Sequence, residues 1–561
     1  MGFPVLNVIV LLPLGAAMAV VFWPQTASSR ALKSFALGTA VVELALVVWM
    51  AAAFQSGDAH AGLQFITREP WIGPIGISWY LGVDGISVFL VAMAALLFPV
   101  AMSVTPPGRS PRAYLGWMLL LESACMVTFL SLNAFLFFFA FDLTLVPGYF
   151  IIIDGPGPRQ GYAATKFFLY TFAGSAFLFV GILAAFVLAK AHEPAGTTAS
   201  LDLFSLARGT AHLPRADQDL LFAAFGAAFA VKMPLVPFHT WMPDAYTEAP
   251  TGGSMVLAGT LFKLGAYGIL RWGIFLFPVG AVELAPLALT LGGVGIIWGA
   301  LVAALQRDLK RLVSYGTVVG IGFMVVGLFG FSVQGITGAI VDMVNHGLST
   351  GALFLLVGMV WERRRGLQFA QLGGLSATAP VLGWVFMTVV LADIGLPGLN
   401  GFVGELLVLL GTFVTHRWWA VVATSGVVLS AVYLLHAYRR VFHGPVRVAG
   451  AVVNDMTWAE RLTVAPLLAG IVFIGVYPQP VLARIQPAVN HLIAHMECAD
   501  PRLKLPSSVV GHGTFAVPGT QVVDLPVTRP LRSAGPLGRR SSSQGPQPGA
   551  PRHCPSTNRA L

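Results

Sequence analysis

Charge is what this sequence lacks most. Only 10% of its 561 residues are Asp, Glu, Lys or Arg, and 56% are apolar, whereas soluble domains average about 25% charged residues. That excludes a soluble enzyme and puts most of the chain in lipid. Cysteine is scarce too. The three, Cys125, Cys498 and Cys554, lie far apart with no CxxC or Cys/His cluster. They leave no frame for disulfides, haem or an iron–sulfur cluster, so no metal or redox cofactor is expected in this chain. No basic stripe is interleaved with aromatics, and much of the net charge of +9 sits in a C-terminal tail; nucleic acid is excluded as a partner. The opening MGFPVLNVIVLLPLGAAMAVVF has no basic n-region and no clear cleavage site. It reads as a first membrane helix rather than a cleaved signal.

Long apolar runs are abundant. A helix needs about 20 apolar residues to cross a bilayer. Qualifying windows begin near Val5, Ser34, Ile86, Ala113, Ala134, Ala163, Leu220, Ser254, Pro286, Leu312, Gly335, Pro380, Trp418 and Thr457. The expected fold is an all-α polytopic membrane protein of about 14 spans. Two longer polar connections, Gly57–Gly82 and Lys190–Asp219, interrupt it. The region after Asp500 is rich in Pro, Ser, Gly and Arg and is expected to be disordered. Odd-numbered connections carry fourteen Lys or Arg, among them Arg112, Lys310 and Arg363; even-numbered ones carry six, including Arg68 and Arg271. Positive charge marks the cytoplasmic side, so both termini are predicted on the outer face.

Two spans are broken. The first is Leu220–Phe238, interrupted by PLVP. The second runs from Pro380 through LADIGLPGLNGFVGELLVLLG and is interrupted by Gly395, Pro397, Gly398 and Gly401. Paired broken helices in corresponding places mark inverted transporter repeats. The predicted organisation is N-terminal helices 1–3 (1–112), a first five-helix repeat (113–275), a second inverted repeat (276–445), a last span with a short amphipathic segment (446–498) and a disordered tail (499–561).

A charge at the bilayer centre costs at least about 2.5–3.5 kcal/mol on insertion scales. Yet Lys232, Lys263, Asp142, His346, Asp393 and Glu405 all fall within predicted spans. Burial makes an ammonium release its proton more readily, a nearby carboxylate opposes this, and a neutral imidazole relays. Taken singly, each has a plain structural reading: Asp142 as half of a packing ion pair, His346 as a satisfied buried histidine with Asp342 one turn away. The whole set, on successive helices, favours proton handling. A broken helix admits water at depth, which accounts for prolines just behind Lys232.

These residues also carry a resemblance. VKMPLVPFHTWMPDAYTEAPTGGSMVLAGTLFKLGAYGILR, QRDLKRLVSYGTVVGIGFMVVG, MVNHGLSTGALFLLVG and IGLPGLNGFVGELLVLLG resemble the antiporter-like subunits of respiratory complex I, the proton-translocating NADH:quinone oxidoreductase, and of Mrp-type sodium/proton antiporters. WYLGVDGISVFLV and FDLTLVPGYFIII look like the M-type members. The resemblance covers roughly Met1 to Cys498. It implies fourteen helices with two inverted five-helix repeats in a bacterial cell membrane. It also implies a hydrated proton path through Asp142, Lys232, Lys263, His346 and Glu405. Partners would be L- and N-type membrane subunits and lipid, with NADH, FMN, iron–sulfur clusters and quinone held by other subunits. An Mrp-type antiporter subunit and a non-conducting spacer are the alternatives. Three positions depart from the family pattern: Asp142 replaces a glutamate, Gly320 replaces a histidine, and Asp393 replaces a small neutral residue. Asp142 is expected to pair with Lys232. Gly320 is expected beside a hydrated cavity that tolerates histidine, the alternative being that Gly320 and Gly322 admit a neighbouring helix backbone.

Overall fold

The computed structural model describes residues 4–24, 28–57, 62–104, 110–192, 200–445, 454–500 and 502–503. The predicted disordered tail lies almost wholly outside them. In chain order the helices are α1 (Val5–Val21), α2 (Ser29–Ala53), α3 (Val88–Ser103), α4 (Pro111–Leu130), α5 (Ala134–Leu143), α6 (Leu145–Ile153), α7 (Gln160–His192), α8 (Leu203–Thr210), α9 (Arg215–Lys232), α10 (Trp241–Glu248), α11 (Thr251–Val256), α12 (Phe262–Gly268), α13 (Pro278–Ala304), α14 (Leu309–Phe329), α15 (Val333–Arg364), α16 (Pro380–Asp393), α17 (Asn400–Thr415), α18 (Arg417–Phe442), α19 (Trp458–Val476) and α20 (Gln479–Ala499). Among the described residues, ten helices or joined helices are long and apolar enough to cross a membrane, and four shorter apolar ones accompany them.

Local sequence accounts for where they start. Ser28, Ser110, Asn133, Asp308 and Ser332 each cap a helix by accepting a backbone N–H. Thr457 and Glu460 complete a reciprocal capping box on α19. The centre of the bundle is α15, buried from Gly335 to Val360, against the equally buried helix Thr251–Ile274. Polar groups in that centre have no contact with lipid, so the centre can hold charge.

Three features differ from the sequence reading. The first polar connection contains a two-stranded antiparallel hairpin, β1 (Gln64–Ile72) and β2 (Ile77–Val83), within an otherwise helical fold. Asp202, just before α8, bonds Arg68 of β1, Ser78 of β2 and Asn133, tying the hairpin to the start of α5. Arg271 is not a loop charge. It is buried and paired with Asp84 at 2.5 Å, while its Nε donates to Tyr267. Finally, the short amphipathic segment expected after the last span is the 21-residue α20, which continues through Pro487. Pro480 sits in the first turn, where no helical N–H is lost. Val481, Ile485, Val489, Leu492 and Met496 make the buried stripe of α20.

Candidate functional site

Lys232 is the last residue of α9, immediately before the break at Pro234 and Pro237. It is 1% exposed. Its ammonium donates to the Thr144 hydroxyl at 2.7 Å and the Phe141 carbonyl at 3.2 Å, with the Phe141 ring 4.7 Å away. Thr144 is the joint between α5 and α6, so both acceptors come from one bend. The expected Asp142–Lys232 ion pair is not formed. No ion pair joins them among the described residues, and Asp142 Oδ1 is buried without a hydrogen-bond partner. The Asp142 charge still acts on Lys232. One methylene shorter than glutamate, it stops short of bonding distance. Thr144, which the sequence reading passed over, takes the bonding role.

Lys263 is fully buried. It stands on α12, flanked by two wide π-helical stretches, Leu257–Leu261 and Ile269–Ile274. A π turn is frequent at functional sites because it loosens the regular carbonyl ladder. Lys263 donates to the carbonyl of Ala258, five residues earlier, at 2.7 Å. It also lies 3.4 Å from His346 Nδ1 and 3.7 Å from the Phe262 ring centre. Thr350, one turn beyond His346 on α15, has its hydroxyl 3.1 Å from Nδ1 and 3.3 Å from Nε2. Lys263, His346 and Thr350 are thus contiguous, and Asp393, the last residue of α16, lies on the wall of a cavity that His346 also lines. Among the described residues no hydrogen bond joins Lys232 to Lys263.

Past Asp393 the chain breaks at Gly395 (φ +81°) and Gly398 (φ +91°). A side chain at Gly395 would strike the Glu405 carboxylate, so glycine is required both for the backbone and for that close approach. Asp342, His346, Asp393, Glu405, Ser430 and Tyr433 line a cavity of about 30 Å³, room for about one water. Gly320 borders this cavity too, as expected, but it does not leave room for histidine. A Cβ there would run into the His346 ring. The imidazole of α15 already fills that space. Gly322 behaves as the alternative foresaw: a Cβ would lie 2.6 Å from the Gly292 carbonyl of α13. Asp342, read as a structural partner of His346, instead joins the acids of the cavity.

Two further acids lie outside this line. Glu43 on α2 and Glu122 on α4 are both fully buried. Both are acids in the middle of predicted spans, the same signal that singled out Lys263, yet the sequence reading passed over them. Among the described residues no group of three or more His, Cys, Asp or Glu is placed to hold a metal ion.

Residues 131–430 match the family described as "NADH:quinone oxidoreductase/Mrp antiporter, TM". The chain is 40% identical over 501 residues to "NADH-quinone oxidoreductase subunit M" of Rhodobacter capsulatus, covering 87% of this chain and 96% of that protein. It is 34% identical over 534 residues to the protein of the same name from Mycobacterium tuberculosis, covering 89% and 95%. A chain of "Respiratory complex I from Thermus thermophilus with bound NADH" superposes with a TM-score of 0.77 at 27% identity, covering 87% of this chain and 99% of that one. A chain of the Mrp complex from Dietzia sp. shares the fold at 18% identity, with a TM-score of 0.76 over 90% and 99% of the two chains. The family match spans most of the bundle and includes all six expected site residues, from Asp142 to Glu405; the chain belongs to the NADH:quinone oxidoreductase/Mrp antiporter family of membrane subunits, alongside its M-type members.

Proposed function

We propose that this chain is a membrane-arm subunit of a bacterial NADH–quinone oxidoreductase and that it translocates protons, driven by NADH oxidation and quinone reduction in other subunits. NADH, FMN, iron–sulfur clusters and quinone belong to those partners, and L- and N-type subunits are the membrane neighbours. Both termini face outward, and the two five-helix repeats at 113–275 and 276–445 each carry one broken helix. The observation that carries the reading is the bonded series Lys263–His346–Thr350 beside a polar cavity that His346 lines together with Asp342, Asp393 and Glu405.

The series has a direction. A Lys263 ammonium has only protons to give, and donates to Ala258 and to the lone pair of His346 Nδ1. The neutral imidazole then carries its hydrogen on Nε2, an assignment made from the network, and Nε2 donates to Thr350. The next acceptor is Asp393, on the wall of the cavity that His346 lines, reached from Thr350 through a water there. Shifting each proton one bond along leaves Lys263 neutral and Asp393 protonated, with the imidazole hydrogen now on Nδ1. Thr350 reaches both ring nitrogens and so offers the return route. Glu405, across the cavity, is the exit acid. Lys232, with Asp142 as its unbonded counter-charge, loads the first half.

One observation favours a non-conducting spacer: no hydrogen bond joins Lys232 to Lys263. Pumping in inverted membrane vesicles decides. Lys263→Ala at normal abundance should lower NADH-driven acidification to background, with and without sodium. Normal acidification would remove Lys263 from the mechanism and support the spacer. Strict sodium dependence in the parent would support an antiporter subunit.

A further inference from the structure

One step of the path has no carrier yet. The cavity at the glycine break measures about 30 Å³, room for about one water. A water that links Thr350 to Asp393 is not also free to link Asp393 to Glu405. Among the described residues three hydroxyls are on the cavity wall, those of Ser349, Ser430 and Tyr433. Ser349 already donates to the Asn345 carbonyl at 2.8 Å. Ser430 and Tyr433 are both buried on α18, three residues and so about one turn apart.

The tyrosine crosses to the opposite helix. Its hydroxyl reaches α14 at Gly316, where an added Cβ would lie 3.0 Å from Tyr433 Oη. Glycine there keeps the hydroxyl uncrowded. Gly320 is one turn further along α14, and the His346 ring rests against it. Positions four apart on a helix hold their Cβ atoms about 5–6 Å from one another, about the span of two hydrogen bonds through one water. The phenol and the imidazole are therefore neighbours along one face of α14. Gly316 and Gly320 line the cavity together with Asp393 and Glu405. A phenol ordinarily titrates near pH 10 and so keeps its proton at neutral pH. Its oxygen carries lone pairs as well as a hydrogen, so it passes a proton on without ionising.

We infer that Tyr433 is a proton-transferring residue that carries the proton from Asp393 to Glu405. In that step the Asp393 carboxyl gives its proton to the phenol oxygen, directly or through the cavity water, as the phenol hydrogen passes to the Glu405 carboxylate. Asp393 ends as a carboxylate, Glu405 as a carboxylic acid, and the phenol is unchanged. Rotation of the hydroxyl resets it. The placement of the hydroxyl stands on the geometry alone; its transfer role rests on the proton-conduction reading.

The test uses the assembled complex in inverted vesicles. Tyr433→Phe keeps the ring and deletes the hydroxyl. Pumping per NADH should fall several-fold at an unchanged yield of complex, and normal pumping overturns the role. The space left by the hydroxyl adjoins Gly316. Gly316→Ser in the Tyr433→Phe background therefore returns a hydroxyl from the opposite helix, whereas Gly316→Ala adds the same carbon without it. Pumping in the serine double variant should exceed that in the alanine double variant several-fold. Equal pumping in the two overturns transfer through a hydroxyl and leaves Tyr433 as packing. If Tyr433→Phe lowers the yield, the two double variants compared at equal yield decide by themselves. Lys263→Ala is run alongside. Normal pumping in that variant sinks the conduction reading itself, whereas lost pumping there with normal pumping in Tyr433→Phe sinks only the role of Tyr433.

Discussion

The two broken helices solve opposite problems. Where α9 ends, one ammonium faces a carbonyl and a hydroxyl from the α5/α6 joint, and no carboxylate bonds it. Where α16 gives way to α17, three acids, Asp342, Asp393 and Glu405, surround a cavity. An ammonium needs acceptors, and helix ends supply spare carbonyls without any water. Carboxylates need donors, which a helix interior does not have to spare, so they require hydroxyls, shared protons or water. The proline break can therefore satisfy its ammonium with protein acceptors alone, whereas the acids of the glycine break call for donors that a water in the cavity could supply. The difference follows from which charge each break serves.

Removing the ammonium breaks this comparison most sharply. Lys232→Ala should reduce pumping in inverted vesicles to background while the protein still inserts, since Lys232 is the buried ammonium at the proline break. Next is Thr144→Val, which deletes a hydrogen bond to a charged group worth about 1.5–3 kcal/mol. Pumping should fall roughly tenfold if the hydroxyl, rather than Asp142, secures the lysine; an unaffected Thr144→Val would return that role to the carboxylate. Gly320→His probes the cavity at the glycine break. The His346 ring already occupies the space, so overpacking of about 1–3 kcal/mol should lower the amount of assembled complex, measured by its yield in mild detergent, and normal yield would show that the imidazole can move aside. The smallest effect belongs to Asp142→Glu. One added methylene brings the carboxylate toward Lys232 and should leave pumping near the parent level. A marked loss there would show that the proline break depends on the lysine having no bonded acid.

Most of the helices could be read from apolar runs of bilayer length, because lipid forbids alternatives to helix. The two breaks were equally plain, since Pro237 and Gly398 are punctuation within otherwise continuous runs. What resisted reading depended on neighbours distant in sequence. Arg271 looks like a loop charge until Asp84, 187 positions away, neutralises it. Gly320 and Gly322 are identical residues two apart, yet one faces an imidazole and the other a helix backbone. The π turns around Lys263 leave no compositional mark. Thr144 is an ordinary mid-span threonine until the chain bends there. Glu43 and Glu122 are a different kind of miss, because intramembrane depth alone was enough to flag them.

Asn345 and Asn400 bear on how the second break can move. Asn345 donates to the Asn400 carbonyl at 2.7 Å and Asn400 donates back to the Asn345 carbonyl at 3.1 Å. Gly404 lies against Asp342, and Gly338 against Val408. Mechanically, α15 and α17 are one rod, so His346 and Glu405 travel together. The other half, α16, is fastened elsewhere. Asp455 caps its N-terminus and Phe386 rests on Phe442 and Tyr438 of α18. Any swing at Gly395–Leu399 thus leaves the histidine and the exit acid in register while it shifts Asp393, at the end of α16, relative to both. The hinge works as a clutch: it engages or releases one side chain while the rest of the relay stays assembled.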